Sequence, residues 1–173
     1  MPELWHDFFL MVGGSAAALT GLVFVALSIN PRTIGNDATH RYRAIGTLNG
    51  YMVAFGICAF GLIQGQNGQV MGLGWIAAAI YALIVYDYGF NRAQEVGRSN
   101  VELKSSRVLF GNALYVAQIA GATMLVLGVA DGVAVASVAM IVTLAFTTSG
   151  AWLLLMGVDR PPAVEPEVTL REP

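Results

Sequence analysis

The stretch FFLMVGGSAAALTGLVFVALSI, Phe8–Ile29, decides what kind of fold this chain can adopt. Its 22 residues include no Asp, Glu, Lys or Arg. A helix rising about 1.5 Å per residue needs about 20 predominantly apolar residues to cross the hydrocarbon core of a bilayer. Phe8–Ile29 meets that length, and a helix apolar on every side must be buried in protein or lipid.

Four more uncharged stretches follow it: Ala44–Gln64, Val70–Tyr86, Val108–Ala130 and Val133–Val158, of 21, 17, 23 and 26 residues. The whole chain of 173 residues is 56% hydrophobic and 12% charged, with mean hydropathy +0.65. A soluble domain carries roughly 25% charged residues, so an ordinary soluble globule is excluded. The pattern predicts an all-α integral membrane bundle of five transmembrane helices, at residues 8–29, 44–64, 70–88, 108–130 and 133–158, in one domain over 1–158. Residues 159–173 carry Asp159, Arg160, Pro161, Pro162, Glu165, Pro166 and Glu167, which predicts a flexible cytoplasmic tail.

The charges also give the chain a direction. The nine basic residues fall after the first stretch (Arg32, Arg41, Arg43), after the third (Arg92, Arg98, Lys104, Arg107) and in the tail (Arg160, Arg171). With five spans these segments share one side of the membrane, and the positive-inside rule makes that side cytoplasmic. The N-terminus is then outside and the C-terminus inside. Met1–Asp7 has no basic residue, unlike the n-region of a cleaved signal peptide, so the first span is expected to be retained. Trp5, Phe8, Phe9 and Trp75 are expected at the outer interface, and Tyr86, Tyr88, Phe90 and Phe110 at the inner one.

Small residues recur every four positions: Gly13, Ala17 and Gly21; Gly46, Gly50 and Ala54; Ala113, Ala117 and Gly121. Residues four apart share a helix face, and a face without bulk lets two backbones approach closely. These nine positions are the expected helix-contact faces, within one chain or between chains. Pro31 is expected to close the first helix, and Asp131–Gly132 to turn the fourth and fifth into an antiparallel hairpin.

Chemistry-bearing residues are scarce. None of the five uncharged stretches holds an ionisable side chain of the kind that membrane enzymes and coupled pumps use. His6 and His40 fall outside the stretches and on opposite sides, so they form no shared metal site. No catalytic group, metal or cofactor is expected. Cys58 is the one cysteine, so no intrachain disulfide forms. A net charge of −2 and a pI near 5.6 supply no basic face for nucleic acid.

What remains is neutral polarity weighted to the inner half: Ser28, Asn30, Asn49, Asp87, Asn112, Gln118 and Thr147. An amide left unpaired in hydrocarbon is costly, so these groups face other helices or water. They read either as interhelical hydrogen-bond glue or as a polar cavity open to the cytoplasm that accepts an ion or small solute. Asn112, Tyr115 and Gln118 share an arc of about 120° on the fourth helix, which suits both readings.

The run Asp7–Asn30 resembles the first helix of small bacterial integral membrane proteins described as modulators of the FtsH protease. Gln64-Gly65-Gln66 is similar to a pattern those proteins carry after helix 2. The resemblance implies a multi-pass protein of the bacterial inner membrane that acts on another membrane complex, and it brings no catalytic residues with it. With no acidic or basic side chain in the uncharged stretches and small-residue faces on three helices, the expected function is non-enzymatic lateral contact between helices, as an oligomer or as a partner or regulator of another membrane complex, with lipid around it. The alternative is a channel or facilitator.

Overall fold

The computed structural model describes residues 2–29, 38–96 and 101–158. The chain forms five α-helices: α1 Pro2–Ile29, α2 Ala38–Gly61, α3 Gly68–Val96, α4 Val101–Val126 and α5 Gly132–Val158. Each contains a segment long and apolar enough to cross a membrane: Trp5–Ile29, Ala44–Gly61, Gly68–Gly89, Val108–Val126 and Gly132–Trp152. Large apolar side chains such as Leu22, Phe24, Ile84, Leu109 and Trp152 point outward. The architecture is that of a multi-pass, all-helical membrane protein.

The helix ends differ from the sequence expectation at both kinds of boundary. α1 begins at Pro2 instead of Phe8, α3 runs to Val96 instead of residue 88, and α4 begins at Val101 instead of Val108. Charged residues are excluded from lipid but not from a helix, so a helix can continue past its last apolar turn. Two helices stop earlier than expected. α2 stops at Gly61 instead of Gln64, and α4 at Val126 instead of Ala130. Asn30, Pro31 and the tail 159–173 lie outside the described residues.

The early stop of α4 has a local cause. Gly128 has φ of +84°, the left-handed conformation that glycine adopts without a Cβ penalty. The Val129 N–H donates to the Met124 carbonyl (2.9 Å) and the Gly128 N–H to the Leu125 carbonyl (3.1 Å). This bond pair is a Schellman cap, which satisfies the last carbonyls of the helix. The hairpin turn therefore spans Leu127–Asp131 rather than the pair Asp131–Gly132 alone. Between α2 and α3, Asn67 Oδ1 accepts from the Val70 N–H at 2.8 Å and caps the start of α3.

α2, α3, α4 and α5 form a ring in which each helix packs on the next and α5 closes on α2. α1 lies outside the ring, against α2, and touches α5 only slightly. The main core gathers Phe9, Ile57, Cys58, Trp75, Leu125 and Met140, among others, and a second cluster joins Val23, Tyr51 and Ala151.

Candidate functional site

The four-helix ring encloses a small polar cluster. Trp75 on α3 is 0% exposed and Gln118 on α4 is 3% exposed. The Trp75 indole N–H donates to Gln118 Oε1 (3.2 Å), and Gln118 Nε2 donates to Thr143 Oγ1 on α5 (2.9 Å). Thr143 in turn donates to the Ala139 carbonyl of its own helix (2.7 Å). One amide thus ties three consecutive helices together with both ends of its side chain paired. Two further clamps lie toward the end of the bundle opposite the two short turns. The Tyr51 hydroxyl of α2 donates to Thr148 Oγ1 of α5 (3.0 Å), and Asn112 Nδ2 of α4 donates to Asp87 Oδ1 of α3 (2.9 Å).

A small cavity of about 10 Å3 opens beside Gln118, lined by Gly50, Ile57, Tyr115, Met140 and Thr143 among its walls. A water molecule needs about that much room. Among the described residues, no three His, Cys, Asp or Glu side chains come together as a metal would require. Asp87 falls within the α3 span Gly68–Gly89, because the helix continues past Tyr86, and it is half-buried.

The residues expected around one inner cavity are dispersed. Gln118 alone of that set lines the central cavity. Asp87 and Asn112 pair with each other. Ser28 is exposed and donates to the Phe24 carbonyl of its own helix. Thr147 bonds back to the Thr143 and Leu144 carbonyls and turns its methyl toward Gly50. Asn49 is half-buried, and Asn30 lies outside the described residues. The arc of Asn112, Tyr115 and Gln118 does face the bundle, with Tyr115 and Gln118 buried.

The small-residue stripes divide in the same way. A Cβ on Gly13 would meet the Cys58 Cβ at 2.9 Å, one on Gly50 the Thr147 methyl at 2.9 Å, and one on Gly121 the Ala136 nitrogen at 2.5 Å. Ala54 is core. By contrast, Ala17, Gly21 and Ala113 are exposed, and Gly46 and Ala117 are half-buried. Gly21 and Gly46 have nothing within 4 Å of an added Cβ. Each four-residue step advances about 400° at 3.6 residues per turn, so a strict i, i+4 row drifts by about 40° per step. Three members cannot all stay on one contact line.

Sequence reasoning missed several contributors. Trp75, expected at the outer interface, is the most deeply buried large side chain on α3, because its N–H has found Gln118. Tyr51 is wholly buried. Gly72 approaches Ala122 and Val126, Gly111 the Tyr86 ring, and Gly132 the Gly121 carbonyl. On α1, Gly14 and Ala18 point away from the bundle. For these two the available signal was phase, since they are about 140° and 180° around α1 from the buried Phe9. No family model, curated protein or solved structure matches this chain.

Proposed function

We propose that this protein acts without catalysis, through lateral helix contacts in the membrane, as an oligomer or as a partner or regulator of another membrane complex. The observation that carries the reading is the position of α1. It packs on α2 almost alone, and its opposite side presents Gly14, Ala18 and Gly21 between the exposed Leu10, Met11, Leu22 and Val25. A groove of small residues with large apolar flanks suits a second helix, because dispersion contacts between close backbones exceed those with lipid tails. The interior supports the same reading over permeation. The Gln118 amide is paired across helices at both ends and Asn112 through its Nδ2, and the central cavity has room for about one water.

In this reading the membrane is the bacterial inner membrane, the end of the bundle bearing the two short turns faces out, and Arg41, Arg43 and the α3–α4 connection face the cytoplasm. The one-sided basic residues support that orientation, and the likeness of Asp7–Asn30 to small FtsH-modulator proteins supports a membrane complex as the partner. Reconstitution into liposomes tests contact against permeation. The expected result is no ion or small-solute flux above that of empty vesicles. Flux that Gln118→Leu abolishes, in a protein that still folds, would assign the channel function instead.

A further inference from the structure

The cavity at the centre of the ring has one polar wall whose chemistry the clamps do not use. Tyr115 is 4% exposed, and its hydroxyl lies 3.8 Å from the position of a Cβ on Gly50, at the edge of the cavity both residues line. No described residue accepts its proton. Where the hydroxyl of a buried side chain has no protein acceptor, native structures satisfy it with a bound water if space and partners exist.

Both conditions hold here. The volume is about 10 Å3, and three polar side chains, Tyr115, Gln118 and Thr143, are among its walls. Each has unused capacity. Gln118 Oε1 accepts one bond, from Trp75, and a carbonyl oxygen has two lone pairs. Thr143 Oγ1 accepts from Gln118 and gives its own proton to Ala139, which leaves one lone pair. Tyr115 has its proton to give. We infer that this cavity is a binding site for a single structural water held by Tyr115, Gln118 and Thr143.

The bonds then balance. Tyr115 donates to the water oxygen, and the two water protons go to Gln118 Oε1 and Thr143 Oγ1. The water completes the clamp that begins at Trp75 and extends it by one hydroxyl along α4. Gly50 is the small residue that leaves the space, because a methyl there would press on Thr147 at 2.9 Å and approach the Tyr115 hydroxyl. The remaining walls, Ile57 and Met140 among them, are apolar and admit no second hydrogen-bonded guest.

Crystals of the wild type and of Tyr115→Phe, grown from lipid, test the site. The wild type is expected to show one density peak within hydrogen-bond distance of the Tyr115, Gln118 and Thr143 oxygens. Tyr115→Phe, which keeps the ring, is expected to lose the peak while the Trp75–Gln118 bond persists. Should Tyr115→Phe fail to fold, Gly50→Ala serves, with the peak displaced by the new methyl group. A dry cavity in the wild type, or a Tyr115 hydroxyl bonded to a protein oxygen, overturns the proposal. A peak of equal strength in Tyr115→Phe overturns the role of the phenol. None of these outcomes depends on whether α1 binds a partner.

Discussion

The α4–α5 hairpin and α1 are built on the same small-residue spacing and end in opposite states. In the hairpin, Gly121 and Gly132 bring two backbones so close that a Cβ on either would strike backbone atoms at 2.5 Å. On α1, the stripe starts in contact at Gly13 and then turns outward, so that Gly14, Ala18 and Gly21 face away from the bundle. The difference teaches that spacing creates a face but not its partner. A face is filled when its helix is flanked on both sides, as α4 is by α3 and α5, and left open when its helix has one neighbour, as α1 has. The hairpin faces hold the helices together, and the described residues leave the outward face of α1 uncovered.

Replacement at the two faces should therefore give opposite outcomes. Gly121→Leu is expected to have the largest effect, because the obstructing atoms are backbone of α5 and cannot rotate aside. A loss of about 3 kcal/mol or more is expected, read as a collapse of thermal stability in detergent. A variant that melts like the wild type would mean that the hairpin is not the tight element.

Gln118→Leu comes next. It removes both interhelical bonds of the central clamp and strands the Trp75 N–H, for an expected loss of about 1–2 kcal/mol. Because Trp75 is buried and Trp152 exposed, a change in the buried tryptophan emission should accompany the lower melting temperature. Unchanged emission would argue that the indole is not engaged there. Asn67→Ala should cost less, about 1 kcal/mol, by deleting the cap of α3. An equal loss in Asn67→Ser, which retains a capping oxygen, would point away from capping.

Gly14→Leu and Ala18→Leu should have the smallest effect on the fold, within about 0.5 kcal/mol, since a Cβ on Gly14 meets no described atom within 4 Å and Ala18 is exposed. Their effect belongs to association instead. If they destabilise the isolated chain as much as Gly121→Leu does, the contrast between the two regions fails.

The membrane class and the number of helices were legible because lipid excludes charge, and five uncharged stretches stand out without reference to structure. Helix ends were less legible, since α1, α3 and α4 carry charged residues beyond their uncharged stretches while remaining helical. The stop of α4 depended on Gly128, which reads as one glycine among 20 until its φ is known. At the candidate site, the inward arc of Tyr115 and Gln118 follows from helical phase. Its partners do not, because Trp75 and Thr143 come from helices whose rotation is set by packing rather than by their own sequence. The residues of the inner polar set share a depth along the membrane normal in the sequence pattern, and the structure separates them by rotation around each helix.

The central claim is that the outward face of α1 makes the functional contact. It is tested most directly by the mass of the particle extracted from membranes in gentle detergent, for the wild type and for Gly14→Leu combined with Ala18→Leu. The wild type should exceed the 18.3 kDa of one chain, and the double variant should fall to that mass with its melting temperature unchanged. A wild type that is already a single chain, or a double variant that keeps the wild-type mass, would contradict the account.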